Sequence, residues 1–140
     1  MLKGNGKGKR GLVVEDEPSI ARMCIRALGV EGFEVDVASD GKAAQTRLAE
    51  NGDVYDLCLI DIRTPGMNGI ELYRYLKKSG SGMINRVVFT TGDVVNDEIK
   101  NFLEKTGRPF LPKPFTLDEL RSVIKMALAP ASPEKSGRDG

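Results

Sequence analysis

Apolar residues along this chain follow two rhythms that alternate from one end to the other. Residues 12–14, 33–37, 57–60, 87–91 and 110–111 form short, nearly continuous apolar runs, the pattern of strands buried on both faces of a sheet. Between these runs the spacing becomes helical. Ile20, Met23, Cys24, Ala27 and Leu28 fall at i, i+3, i+4, i+7 and i+8, behind a Pro18 that suits a first helical turn. Val95, Ile99, Phe102 and Leu103 repeat the stripe, and Leu117, Leu120, Ile124, Ala127 and Leu128 form another behind Thr116 and Glu119 at capping-box spacing. Five strand–helix units in tandem predict an α/β domain, a five-stranded parallel sheet with five helices covering both faces.

The ends of the chain break this pattern. Residues 1–10 are rich in Gly and Lys and read as a flexible linker, residues 11–129 as the folded domain, and residues 130–140 as a disordered Pro/Ser/charged tail. With 140 residues, one domain is the expectation, and the short tail after the last helix leaves no room in this chain for a DNA-binding output domain. Lys plus Arg number 21 against 20 Asp plus Glu, which gives no bias toward nucleic acid or an anionic membrane. No aromatic residues are interleaved with the basic ones near the start, so direct nucleic-acid binding is not expected. No run is long enough for membrane insertion, and the start lacks the apolar core of a signal peptide. Cys24 and Cys58 lie in apolar surroundings without metal or redox spacing, as reduced core thiols would, which points to the cytoplasm. The chain contains no histidine, which removes the commonest general base, metal ligand and phosphohistidine donor.

Candidate chemistry gathers at strand ends. Glu15 and Asp16 follow the first apolar run, Asp61 ends the third and precedes the turn Thr64-Pro65-Gly66-Met67-Asn68-Gly69, Thr91 ends the fourth, and Lys113 follows the fifth. In a parallel sheet the carboxyl ends of the strands share one edge, where sites form near a switch in strand order. Three acids and a lysine converging there suit a divalent cation and a phosphoryl group. Blander roles exist for each: Glu15 and Asp16 as caps of the helix near Pro18, Lys113 as a surface lysine before a turn, and Thr91 as a strand residue like Thr90.

Taken together, Val13-Val14-Glu15-Asp16-Glu17-Pro18, Asp40-Gly41, Asp56-Leu57-Cys58-Leu59-Ile60-Asp61, Pro65-Gly66-Met67-Asn68-Gly69, Thr91-Gly92 and Lys113-Pro114-Phe115 resemble, in order and spacing, the response-regulator receiver domains of two-component signalling. The resemblance covers about residues 10 to 128. It implies a flavodoxin-like doubly wound sheet in the order 2-1-3-4-5 and a cis bond between Lys113 and Pro114. It also implies Asp61 as phosphoacceptor and Mg2+ as cofactor, held by Asp16 and Asp61 directly, by Glu15 through water and by the backbone carbonyl of Arg63. Glu15 stands where the family more often has aspartate. Lys113 and Thr91 would contact the phosphoryl oxygens, and Phe110 would be the switch aromatic in place of the commoner tyrosine, or else an ordinary core residue. The donor would be a histidine kinase or a histidine phosphotransfer protein. The switching surface would be the fourth helix, fifth strand and fifth helix, which is also a candidate for weak homodimerisation. No enzyme activity is implied beyond self-phosphorylation and self-dephosphorylation at Asp61.

Two other function classes compete. A haloacid-dehalogenase-type phosphohydrolase needs a second aspartate two positions after the nucleophile, and position 63 is Arg. A receiver-like binding module that signals without phosphorylation would not need the five site residues present here. The chain can be a free regulator or the receiver of a hybrid histidine kinase. Arg63 and Asp93, two residues past Asp61 and Thr91, carry opposite charges and are candidates for a lid over the phosphoryl group, or for two separately solvated charges.

Overall fold

A computed structural model describes residues 8–51, 54–92 and 96–129. Five strands, β1 (Lys9–Val14), β2 (Phe33–Ala38), β3 (Leu57–Asp61), β4 (Val87–Thr91) and β5 (Phe110–Pro112), form one sheet in the order β2-β1-β3-β4-β5, every pair parallel. The helices are α1 (Pro18–Val30), α2 (Gly41–Asn51), α3 (Gly69–Lys78), α4 (Asp97–Thr106) and α5 (Leu117–Leu128). The expected flavodoxin-like architecture is therefore present, with β1 and β3 side by side at the switch in strand order.

Both faces of the sheet are covered, which explains the continuous apolar runs. On one side Leu12, Val14, Cys58, Ile60 and Phe89 meet Ala44 and Leu48 of α2, Tyr73 and Leu76 of α3, and Ile99 and Leu103 of α4. On the other, Val13, Leu57, Leu59 and Val88 meet Cys24, Ala27 and Leu28 of α1 and Leu120, Val123 and Ile124 of α5. The period-2 alternation of each strand sorts its residues between these two cores. Both cysteines are buried, and burial pushes their thiols up, that of Cys24 to about 12. Neither thiol is poised to react at neutral pH.

Helix starts carry the chemistry their sequences suggest. Thr116 and Glu119 form the expected capping box, Asn68 and Glu71 form another on α3, and Asn96 caps α4 through the amide of Ile99. A 3-10 turn at Gly82–Asn85, for which the apolar rhythm gives no sign, drops Met83 into the core ahead of β4.

The linker boundary needs correction. β1 begins at Lys9, so Lys9 and Arg10 are paired strand residues opposite Phe33 and Glu34 rather than tether. Side chains account for this: the Lys9 ammonium lies 5.5 Å above the centre of the Phe33 ring, and the Arg10 guanidinium donates to Asp36 at 2.6 Å. Phe110 is no core residue, because it lies on the edge strand β5 and is 43% exposed. Val95 and Asp93 lie outside the described residues, and α4 opens after them at Asp97. Among the described residues, no helix is long and apolar enough to cross a membrane.

Candidate functional site

Asp61 is the last residue of a strand whose five positions are all buried, so its carboxylate rests on a fixed base and is only 4% exposed. Its Oδ1 accepts from the Arg63 amide at 3.1 Å, and its Oδ2 lies 3.1 Å from the Lys113 ammonium. The loop that follows is held by main-chain contacts. The Thr64 amide donates to the Asp61 carbonyl, the Gly69 amide to the Ile62 carbonyl at 2.9 Å, and the Gly41 amide to the Pro65 carbonyl at 3.2 Å. Two of these approaches tolerate no side chain. A Cβ on Gly69 would sit 2.8 Å from the Ile62 Cα, and one on Gly41 would overlap the Met67 carbonyl oxygen. Asp40-Gly41 and Asn68-Gly69 thus pin the acceptor loop from both sides.

The two acids at the end of β1 differ in setting. Glu15 is 3% exposed, and its Oε2 accepts from the Glu17 amide at 3.1 Å. It sets the approach to α1 without capping the helix, whose N-cap residue is Glu17. Asp16 is exposed. One carboxylate oxygen from each of Glu15, Asp16 and Asp61 falls within 4.8 Å of the others, a hard-oxygen donor set that fits a small divalent cation.

Lys113 arrives from the edge strand, its amide bonded to the Thr91 carbonyl at 2.7 Å and its bond to Pro114 cis, as the resemblance implies. Its ammonium meets Glu15 and Asp61 at 3.1 Å each and Glu17 at 3.4 Å. Burial pushes the Glu15 carboxyl above its ordinary range, and the neighbouring charge of Asp61 adds to the rise. Burial alone would lower the Lys113 ammonium, but the carboxylates of Asp61 and Glu15 outweigh it and the net direction is upward. Lys113 therefore stays charged.

Five of the expected side chains converge, then: Glu15, Asp16, Asp61, Lys113 and, at the rim, Arg63. All but the buried Glu15 line an open depression of about 530 Å³, together with Glu17 and Gly92. Thr91 is fully buried at the adjoining strand end and does not line it, and Phe110 lies farther out, beside Lys100, Leu103 and Glu104. The expected partner of Arg63, Asp93, falls outside the described residues. Glu17 is the residue that sequence reasoning overlooked. In the sequence it stands only within the stretch Val13-Val14-Glu15-Asp16-Glu17-Pro18, and nothing local shows that a lysine 96 positions later reaches it.

Comparison with known proteins agrees with this geometry. Residues 12–125 match the family model described as response regulator receiver domain. The chain is 37% identical over 122 residues to the transcriptional regulatory protein TcrA of Mycobacterium tuberculosis, covering 87% of this chain and 47% of the relative. It is 35% identical over 119 residues to the transcriptional regulatory protein TctD of Salmonella typhimurium, covering 85% and 51%. The crystal structure of a CheY-like response regulator receiver domain protein from Methanospirillum hungatei superposes with a TM-score of 0.74 at 28% identity, over 96% of this chain and 100% of that one. The chain spans about half the length of the curated relatives it matches.

Proposed function

This chain belongs to the response regulator receiver domain family of two-component systems, and we propose that it accepts a phosphoryl group on Asp61 from the phosphohistidine of a histidine kinase or histidine phosphotransfer protein. One observation carries the reading: the Asp61 carboxylate lies between a lysine ammonium at 3.1 Å and two further carboxylates, at the mouth of an open depression. An Asp61 oxygen attacks phosphorus, the P–N bond of the donor breaks, and its imidazole nitrogen leaves with the electron pair and takes up a proton. Lys113, freed from Asp61, turns to a phosphoryl oxygen, and Thr91, buried at the adjoining strand end, moves to donate its hydroxyl to another.

Asp16 and Asp61, with Glu15 through water and the Arg63 carbonyl, would hold Mg2+, a cation that prefers about six oxygens and keeps several waters. That ion supplies positive charge against the negative charge that gathers at the phosphoryl group. The chain turns over no separate substrate and catalyses only gain and loss of its own phosphoryl group. Exposed Phe110 of β5 lies beside Lys100, Leu103 and Glu104 of α4, where a change in its packing would be read by a downstream partner or a second copy.

The test is intact mass after incubation with acetyl phosphate and magnesium. Wild type should gain one phosphoryl group and Asp61→Asn none. Equal gain by both would remove Asp61 from the reading, and no gain by wild type would favour a binding module that works without phosphorylation.

A further inference from the structure

Glu17 occupies an unusual position for a helix-starting acid. It is the N-cap residue of α1, where an acidic side chain ordinarily accepts from an amide of the first turn, yet its carboxylate makes no such bond. It turns to Lys113 instead, 3.4 Å from the ammonium, while remaining 60% exposed at the wall of the depression. The surrounding charges show what this placement does. Lys113 already has Glu15 and Asp61 at 3.1 Å, so a third carboxylate adds little to holding it. Nor does Glu17 belong to the cluster of oxygens from Glu15, Asp16 and Asp61 that suits a cation. A bound divalent ion and the Lys113 ammonium together balance those three and leave Glu17 as a negative charge at the entrance.

We propose that Glu17 is a specificity-determining charge at the mouth of the site that disfavours small, highly anionic phosphodonors, so that phosphoryl groups reach Asp61 mainly from a protein partner. The inference rests on Asp61 being the acceptor. With acetyl phosphate as donor, an Asp61 oxygen forms the new bond to phosphorus while the acyl C–O–P linkage breaks at phosphorus and acetate leaves with the electron pair. The donor arrives doubly negative and passes Glu17 before it reaches Lys113. Unlike charges several ångströms apart near a surface, a like-charge pair there slows each encounter, and salt screens the effect.

The experiment follows the rate of mass gain at saturating magnesium, in wild type, Glu17→Gln and Glu17→Asp. Two donors are used: acetyl phosphate, and phosphoramidate, which carries one net negative charge near neutral pH. Glu17→Gln should be faster than wild type by about three- to tenfold with acetyl phosphate and by about two- to threefold with phosphoramidate, and both gains should shrink in high salt. Glu17→Asp keeps the charge but loses the reach to Lys113, and should stay within about twofold of wild type. If Glu17→Asp is as fast as Glu17→Gln, the residue acts by clamping Lys113 and the charge gate is wrong. Equal rates for wild type and Glu17→Gln would also overturn it. A chain that gains no mass in any form fails at the acceptor, an outcome distinct from failure of the gate.

Discussion

The two ends of the sheet hold polar clusters of opposite composition. In one, a carboxylate midway along the edge strand β2 takes donors from the amino-terminal side: Asp36 Oδ2 accepts from Arg10 at 2.6 Å and from the Tyr55 hydroxyl at 2.7 Å, with Arg47 at 3.6 Å. At the carboxyl ends one ammonium serves several acids, Lys113 against Glu15, Asp61 and Glu17. The carboxyl groups respond in opposite directions. The Tyr55 hydrogen bond, joined by Arg10 and working against burial, holds Asp36 below the ordinary carboxylate range, whereas burial and the charge of Asp61 raise Glu15. A dense polar cluster therefore does not mark a functional site by itself. The first cluster is an acid already supplied with donors and closes the sheet; the second is a surplus of acid that a cation would relieve.

The ends also differ in what holds them. Side chains tie the amino end, while the acceptor loop at the carboxyl end is fixed mainly by backbone approaches at Gly41 and Gly69, joined by the Thr64 hydroxyl, which donates to the Met67 carbonyl at 3.2 Å. The sharpest way to break this contrast is Gly41→Ala. The added methyl overlaps the Met67 carbonyl, so the loop or α2 must shift, and we expect a loss of about 3 kcal/mol by urea denaturation together with weaker magnesium binding. Unchanged stability would show that the loop is not pinned there.

A smaller effect of a different kind is expected at the other end. Asp36→Asn keeps the shape and discards the charge, which should remove about 1–2 kcal/mol, discounted for partial exposure, with magnesium binding untouched. The pH dependence has a defined sign. Because the folded carboxyl is depressed, its contribution is complete above the ordinary aspartate pKa and is lost as pH falls through the lower folded value. Denaturation series at neutral and acidic pH should show wild type and Asp36→Asn converging toward low pH. A constant gap between them would mean that Asp36 acts through shape alone.

How much of this was legible in the sequence depended on distance along the chain. Strands and helices follow from local apolar rhythm, and the strand-end acids stand out because each interrupts or ends an apolar run. Residues placed by remote contacts did not show. Glu17 looks like any acid before a helix until Lys113 reaches it, and Arg10 looks like linker until Asp36 draws it into β1. Phe110 shows the same dependence, since the sequence leaves it as a switch aromatic or an ordinary core residue, and the second reading falls only to a long-range fact. Only the sheet order shows that β5 is an edge and leaves the ring in solvent.

The smallest expected effect tests the comparison most directly, because it should reverse sign. Glu15 is an acid whose carboxyl is raised by burial first and by Asp61 second, so its ionised form destabilises the metal-free fold at neutral pH. That penalty is relieved as pH falls through the raised folded value toward the ordinary glutamate range, so on this account wild type gains stability on mild acidification, opposite to the Asp36 contribution. Glu15→Gln should abolish that slope. It should stabilise the metal-free chain at neutral pH by no more than about 1 kcal/mol, because the lost ion pair with Lys113 offsets part of the relieved burial. Magnesium should invert the order. A ligand that binds only the folded state stabilises by RT ln(1 + [L]/Kd), and the variant, short of one acid, binds more weakly and gains less. Thermal melts of both proteins with EDTA and then with excess magnesium decide the matter. If Glu15→Gln is the less stable of the two in EDTA, then Glu15 is a satisfied structural acid like Asp36, and the two ends of the sheet do not differ in the way proposed.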